Sequence, residues 1–274
     1  MLVAPLLLML LMPHKQEAPL HWSGKMAPGS TLRIFNTHGA IRVTPASGPE
    51  AVVDGSSWGS NNGRDPVVFD VDSNGATVTI CVYRRNLDRC EPGAARGEGD
   101  DVDMDSEGHG GMTDVTVHLP KGVHIHVMSG NGRIDVTDAG ADVSASSGNG
   151  AVTVDNAAGR VTARSGNGRV EVTTAQGPVN ASTGNGAIDV RMARLTDVSD
   201  MHFETGNGTI TVTLPQTYEG ELDANTGHGS ISSDFQLQVI GRMSPEHVHA
   251  SIGAGGGGRL RLETGNGDLV LRKS

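Results

Sequence analysis

The chain has 274 residues, a formal charge of −10, 39 glycines and only 3% aromatic residues. This is too few bulky side chains for an ordinary packed core, but it matches a coiled β-stack with Gly at the corners and small branched residues inside. The acidic residues are scattered and Lys and Arg do not cluster, which excludes a phosphate-binding surface and hence a nucleic-acid partner.

The chain opens with an apolar run at residues 6–12, Leu6 to Met12. It is too short to span a bilayer and reads as the apolar region of a signal peptide, although the usual basic flank is missing. Residues 1–19 are therefore expected to be a leader, and the protein to be exported to the periplasm, the cell surface or the medium. No Cys lies near the run, which argues against a lipid anchor. The strand-rich stretch 51–83 is expected to form irregular N-terminal coils. The two cysteines, Cys81 and Cys90, flank an expected hairpin in which residues 78–83 turn through Asn86, Leu87 and Asp88. In an exported chain such an isolated pair is most simply a structural disulfide, because a metal site would need more Cys or His at ligand spacing. Residues 91–112 are rich in Gly and acids and are expected to be a mobile loop. Its acidic segment 98–105 does not match an EF-hand loop.

From residue 129 one phrase dominates. Ser129-Gly130-Asn131-Gly132 recurs from Ser147, Ser165, Thr183, Thr205, Thr226 and Thr264, with a degenerate copy at Asn36-Thr37-His38-Gly39. The copies at 129, 147, 165 and 183 are 18 residues apart, the mark of a solenoid. The apolar positions, such as Ile134, Val136, Val143, Ala145, Val152 and Val154, alternate gaps of two and seven. A gap of two puts both side chains on one strand face, and a gap of seven turns a corner. Each coil is thus strand, corner, strand, corner. The Gly-Asn-Gly corner is expected to use the positive φ that glycine adopts at low cost. Stacking at ~4.8 Å places equivalent residues over one another. Asn131, Asn149, Asn167 and Asn185 should then form a structural amide ladder.

The fold class expected is all-β: a parallel β-solenoid with about 18–22 residues per coil, taken as right-handed by analogy with parallel crossovers. Its single domain spans 20–274. Irregular coils at 20–122 carry the acidic loop 91–112; regular coils follow at 123–233, then an insertion at 234–258 expected to be largely loop, and a final coil at 259–274.

Candidate sites are few. The calcium-binding nonapeptide roll has a similar coil, but its ligand Asp is replaced here by Ile134, Val152, Val170, Ile188, Ile210 or Leu269. The outward residues Asp135, Thr153, Glu171, Asp189 and Thr211 follow one another along one face. Glu171 and Asp189 could form the carboxylate pair of a glycosidase, but no cleft or aromatic platform accompanies them, and Arg133 and Arg169 are near enough to offset the charge. His124-x-His126 and His247-x-His249 could each chelate a transition metal, yet the sequence names no third ligand. His38 and His228 stand where other corners have Asn. No catalytic residue, cofactor or metal site is assigned.

Four features together resemble a bacterial adhesin-like repeat family, a domain of unknown function. They are the opening Trp22-Ser23-Gly24 with Gly29, Leu32, Ile34, Asn36, His38 and Gly39; the step Leu119-Pro120-Lys121-Gly122-Val123; the Ser/Thr-Gly-Asn-Gly corners; and the end, from Ile252-Gly253 through Gly258 to Leu260-Arg261-Leu262 and the last corner. The resemblance implies an exported β-solenoid without established catalysis, and carries over no functional residues. The expected function is a non-enzymatic binding or scaffold protein of the bacterial envelope. Its partner would be a glycan or another cell-surface component, and its ends are open to self-association. The alternatives are a polysaccharide-active β-helix enzyme and an envelope sensor or regulatory protein.

Overall fold

The computed structural model describes residues 20–58, 67–84, 112–174, 176–192, 194–195 and 199–274. The described residues form strands and no helix. The leader 1–19 lies outside them, as does the acidic loop apart from Met112.

The N-terminal strands are β1 (Leu20–Lys25), β2 (Thr31–His38), β3 (Ile41–Pro45), β4 (Glu50–Trp58), β5 (Val67–Asn74), β6 (Thr77–Arg84) and β7 (Met112–Leu119). The regular coils follow as β8 (His124–Asn131), β9 (Ile134–Thr137), β10 (Val143–Ser147), β11 (Val152–Ala157), β12 (Val161–Asn167), β13 (Val170–Thr174), β14 (Val179–Asn185) and β15 (Ile188–Met192). The C-terminal strands are β16 (Met201–Asn207), β17 (Ile210–Leu214), β18 (Gly220–His228), β19 (Ile231–Ser233), β20 (Leu237–Val239), β21 (His247–Ile252), β22 (Arg259–Asn266) and β23 (Leu269–Lys273).

The two-strand coil is the building unit. Its first strand joins one sheet and its second strand the other, and the residues 18 apart pair in parallel: Val143 with Val161, Val161 with Val179, Val152 with Val170. The inward Val, Ile, Leu and Ala residues of both sheets merge into one continuous core. Val152, Val154, Val161, Val170, Val172 and Val179 are fully buried. Each such side chain contributes about 1.5–3 kcal/mol by leaving water, so the repeated inward positions supply a large share of the driving force.

The stack is not in chain order. In one sheet the order is β20-β21-β18-β22-β16-β14-β12-β10-β8-β2-β6-β5, and in the other β1-β4-β7-β3-β9-β11-β13-β15-β17-β23-β19. The coil β2–β3 therefore sits directly on β8–β9, with β6–β7 beyond it. At the other end β22–β23 is spliced between β16–β17 and β18–β19. The final coil expected at 259–274 is an interior coil.

Antiparallel strands close the ends. β5 pairs with β6, while β1 and β4 cover β7; at the far end β20 and β21 cover β18. The insertion 234–258, expected to be largely loop, thus carries two short strands, β20 and β21, between its loops. Likewise β6 hydrogen-bonds β5 and β2, with its tight turn before it, at Gly75 (φ +60°). The turn expected at Asn86 to Asp88 lies outside the described residues.

Candidate functional site

The corners hold three ladders built from the repeated phrase. In the first, Asn149 Nδ2 donates to Asn131 Oδ1, Asn167 to Asn149 and Asn185 to Asn167, each at 2.9 Å. The ladder runs on through Asn207 and Asn266 at 2.9 and 2.8 Å. His38 is in register with Asn131, and His228 with Asn266, so a histidine terminates each end of the row.

The second ladder is one that the sequence reading missed. The first residue of each phrase is buried, and its hydroxyl donates to the carbonyl of a corner glycine in the neighbouring coil. Ser147 reaches Gly132, Ser165 Gly150, Thr183 Gly168 and Thr205 Gly186, at 2.8–2.9 Å. Thr264 and Thr226 do the same across the spliced coil, to Gly208 and Gly267. The signal was present: this position is always Ser or Thr, a hydroxyl on a buried face. In the degenerate first copy, buried Asn36 substitutes by donating to Gly39 O and Thr113 O at 3.2 and 2.8 Å.

The third ladder is one of bare backbone. A Cβ on Gly150 would lie 2.2 Å from Gly132 O, and one on Gly168 2.3 Å from Gly150 O. Positive φ, as expected, occurs at the equivalent Gly39 (φ +124°), Gly208 (φ +153°), Gly229 (φ +156°) and Gly267 (φ +149°), but the φ of Gly132, Gly150, Gly168 and Gly186 lies outside that range, which corrects the expectation for the regular coils. Close approach between stacked backbones is the reason for glycine there. The opposite corner does use the left-handed region, at Asp138 (φ +52°) and Asn156 (φ +57°), joined side chain to side chain at 2.5 Å. Asx residues tolerate that conformation better than most.

The outward row of the second sheet is as the spacing predicts: Asp135, Thr153, Glu171, Asp189 and Thr211 are lateral neighbours. Arg133 Nε donates to Asp135 Oδ1 at 2.6 Å. Asp189 Oδ2 accepts from Arg169 and from Arg191, both at 3.1 Å, and the same two guanidinium groups lie 3.9 and 3.8 Å from the Glu171 carboxylate. Arg191 thus takes the offsetting role that the sequence reading gave to Arg133.

The histidine pairs are separated by their neighbours. His124 Nδ1 is 3.5 Å from Asp142 Oδ2, whereas the His126 ring tilts against Phe35 at 5.9 Å. His249 and His247 lie opposite Asp223 and Asn225 across the β18–β21 pair. Cys81 is buried beside Phe35 and Met128 in a small apolar cluster on the outer face of its sheet. The other end of the expected disulfide, Cys90, lies outside the described residues.

No curated protein matches the chain. Among solved structures it is similar to a candidate cell adhesion protein from Clostridium sporogenes, at 11% identity over 94% of this chain and 100% of that one, with a TM-score of 0.38. It is also similar to two candidate adhesins. The one from Bacteroides fragilis has 10% identity, covers 94% of this chain and 98% of that one, and gives a TM-score of 0.42. The one from Parabacteroides distasonis has 9% identity, covers 93% and 97%, and gives 0.36. The model of the Toastrack DUF4097 family matches residues 121–272. That span holds the regular coils, the spliced coil and the corner ladders, and it exceeds half of the chain; the chain belongs to the Toastrack DUF4097 family.

Proposed function

We propose that the chain is a non-enzymatic, exported binding or scaffold protein of the bacterial envelope, of the adhesin-like kind. The observation that carries this reading is the state of the outward carboxylates. Glu171 and Asp189, the adjacent acids of the outward row, are both held between Arg169 and Arg191. What repeats outward is the exposed amide row of the corners, Asn131, Asn149, Asn167, Asn185 and Asn207, at the ~4.8 Å strand spacing. Such a periodic array suits a periodic partner, a glycan or another repetitive cell-surface component. In this reading residues 1–19 are removed as a leader, 20–274 act as one domain, and a bond between Cys81 and Cys90 ties β6 to the segment that follows it.

The test is a glycan array together with a pull-down from envelope fractions, using the purified secreted chain. Binding to a glycan or surface component without turnover supports the reading. Hydrolysis of an acidic glycan that is abolished by Asp189→Asn would overturn it. Thiol titration of the unfolded, unreduced chain checks the disulfide, which predicts no free thiol.

A further inference from the structure

The spliced coil creates a donor cluster that exists in no single stretch of sequence. His202 and Glu204 are two residues apart on β16, so both point outward. On the neighbouring β22, Arg261 is in register with His202, and Glu263 with Glu204. One donor atom from each of His202, Glu204 and Glu263 lies within 4.8 Å of the others, and His202 Nε2 is 3.4 Å from Glu263 Oε2. Donors held at ~2.0–2.2 Å around a tetrahedral zinc stand roughly 3.3–3.6 Å apart. The side chains, all on a solvent-facing surface, are within a small rotamer adjustment of that arrangement.

Two further features point to a cation. Glu204 and Glu263 are lateral neighbours of like charge, an arrangement that destabilises a sheet. In the regular coils the same row carries Ser146, Arg164 and Ser182, with no adjacent acids. Arg261 Nη2 donates to Glu263 Oε1 at 2.6 Å, whereas Glu204 has no ion-pair partner among the described residues. Arg261 also fixes Glu263 so that Oε2 is the oxygen turned to His202, the orienting role that outer partners play at metal sites.

We propose that His202, Glu204 and Glu263 form a binding site for a divalent transition metal of the zinc class. An imidazole donor beside two carboxylates favours zinc over calcium, whose ligands are oxygens. Three protein ligands leave a fourth position facing solvent, open to water or to an oxygen donor from a partner. The site does not depend on the binding reading above.

The test is titration of the tag-free full chain with Zn²⁺ alone, read by competition with a chromophoric chelator. The expected result is one zinc per chain, with affinity falling at least tenfold in His202→Ala and in Glu263→Gln. Glu204→Gln, which breaks no ion pair, should fall likewise while retaining the wild-type circular dichroism spectrum. The paired variant His247→Ala/His249→Ala should retain the site. Absence of binding at millimolar zinc, or binding lost with His247 and His249 but kept in Glu204→Gln, would overturn the proposal.

Discussion

Gly150→Ala isolates the claim that the corner glycines are required by close approach. A Cβ there would stand 2.2 Å from Gly132 O, 2.6 Å from Gly132 C and 3.0 Å from Ser147 Oγ. An ordinary carbon–oxygen contact is about 1 Å longer than the first of these, so the two coils must part at that corner. Overpacking of this kind costs about 1–3 kcal/mol. Parting the backbones also weakens the Ser147 hydroxyl bond to Gly132 O, now 2.8 Å, which contributes about 1 kcal/mol. The expected loss is therefore about 3 kcal/mol, read as a lower urea midpoint by far-UV circular dichroism. Gly48→Ala is the control, since its added Cβ meets nothing within 4 Å and its φ is ordinary. It should leave stability unchanged or slightly raised. If Gly150→Ala costs less than about 0.5 kcal/mol while the control behaves as expected, the close-approach argument is wrong.

Three other outcomes follow from the same geometry. Asn167→Ala removes one donor and one acceptor from the amide ladder, and because the row is exposed to water the loss should be about 1 kcal/mol by thermal denaturation. Thr183→Val keeps the shape of a buried side chain but leaves Gly168 O without its hydroxyl donor, and should cost about 1–2 kcal/mol in urea unfolding. Tyr218 donates to Gly258 O and packs edge-on against Phe235; burial, then the charge of Asp200, pushes its phenol up to about 12. A raised folded value means that stability is intact below the unfolded value of 10.0 and is lost as pH rises through about 12. Ultraviolet titration should show one phenol ionising only near the upper end of that window, and Tyr218→Phe should flatten the alkaline loss.

The regular coils were legible because hydrophobic spacing and stacking obey one rule. The two–seven alternation names the same residues that pair in register, from Ile134 and Val143 through Val179 and Ile188. The amide row at Asn131 to Asn185 is equally a matter of counting by 18. The hydroxyl row is harder to see in the sequence, since Ser and Thr look like ordinary turn residues until their burial is known. Positive φ accounts for the corner glycines only at Gly39, Gly208, Gly229 and Gly267, whereas close approach accounts for those of the regular coils, and sequence separates the two causes only when the neighbouring backbone is in view. The splice was beyond reach: Leu222 and Leu260 both fit the core pattern, and nothing in their spacing says which one lies against Met201. The donors His202, Glu204 and Glu263 were hidden for the same reason, since 61 residues separate two of them.

The splice also governs the order in which the molecule can be completed. During synthesis β18 emerges before β22, carrying the same corner phrase and the same alternation of core residues. For the time it takes to make residues 229–266, the edge of β16 is open and β18 is the strand at hand. Only β22 provides the native neighbour for both. A stack that could grow coil by coil from the ribosome up to β17 must then wait, and any early docking of β18 on β16 has to be undone before the last coils close.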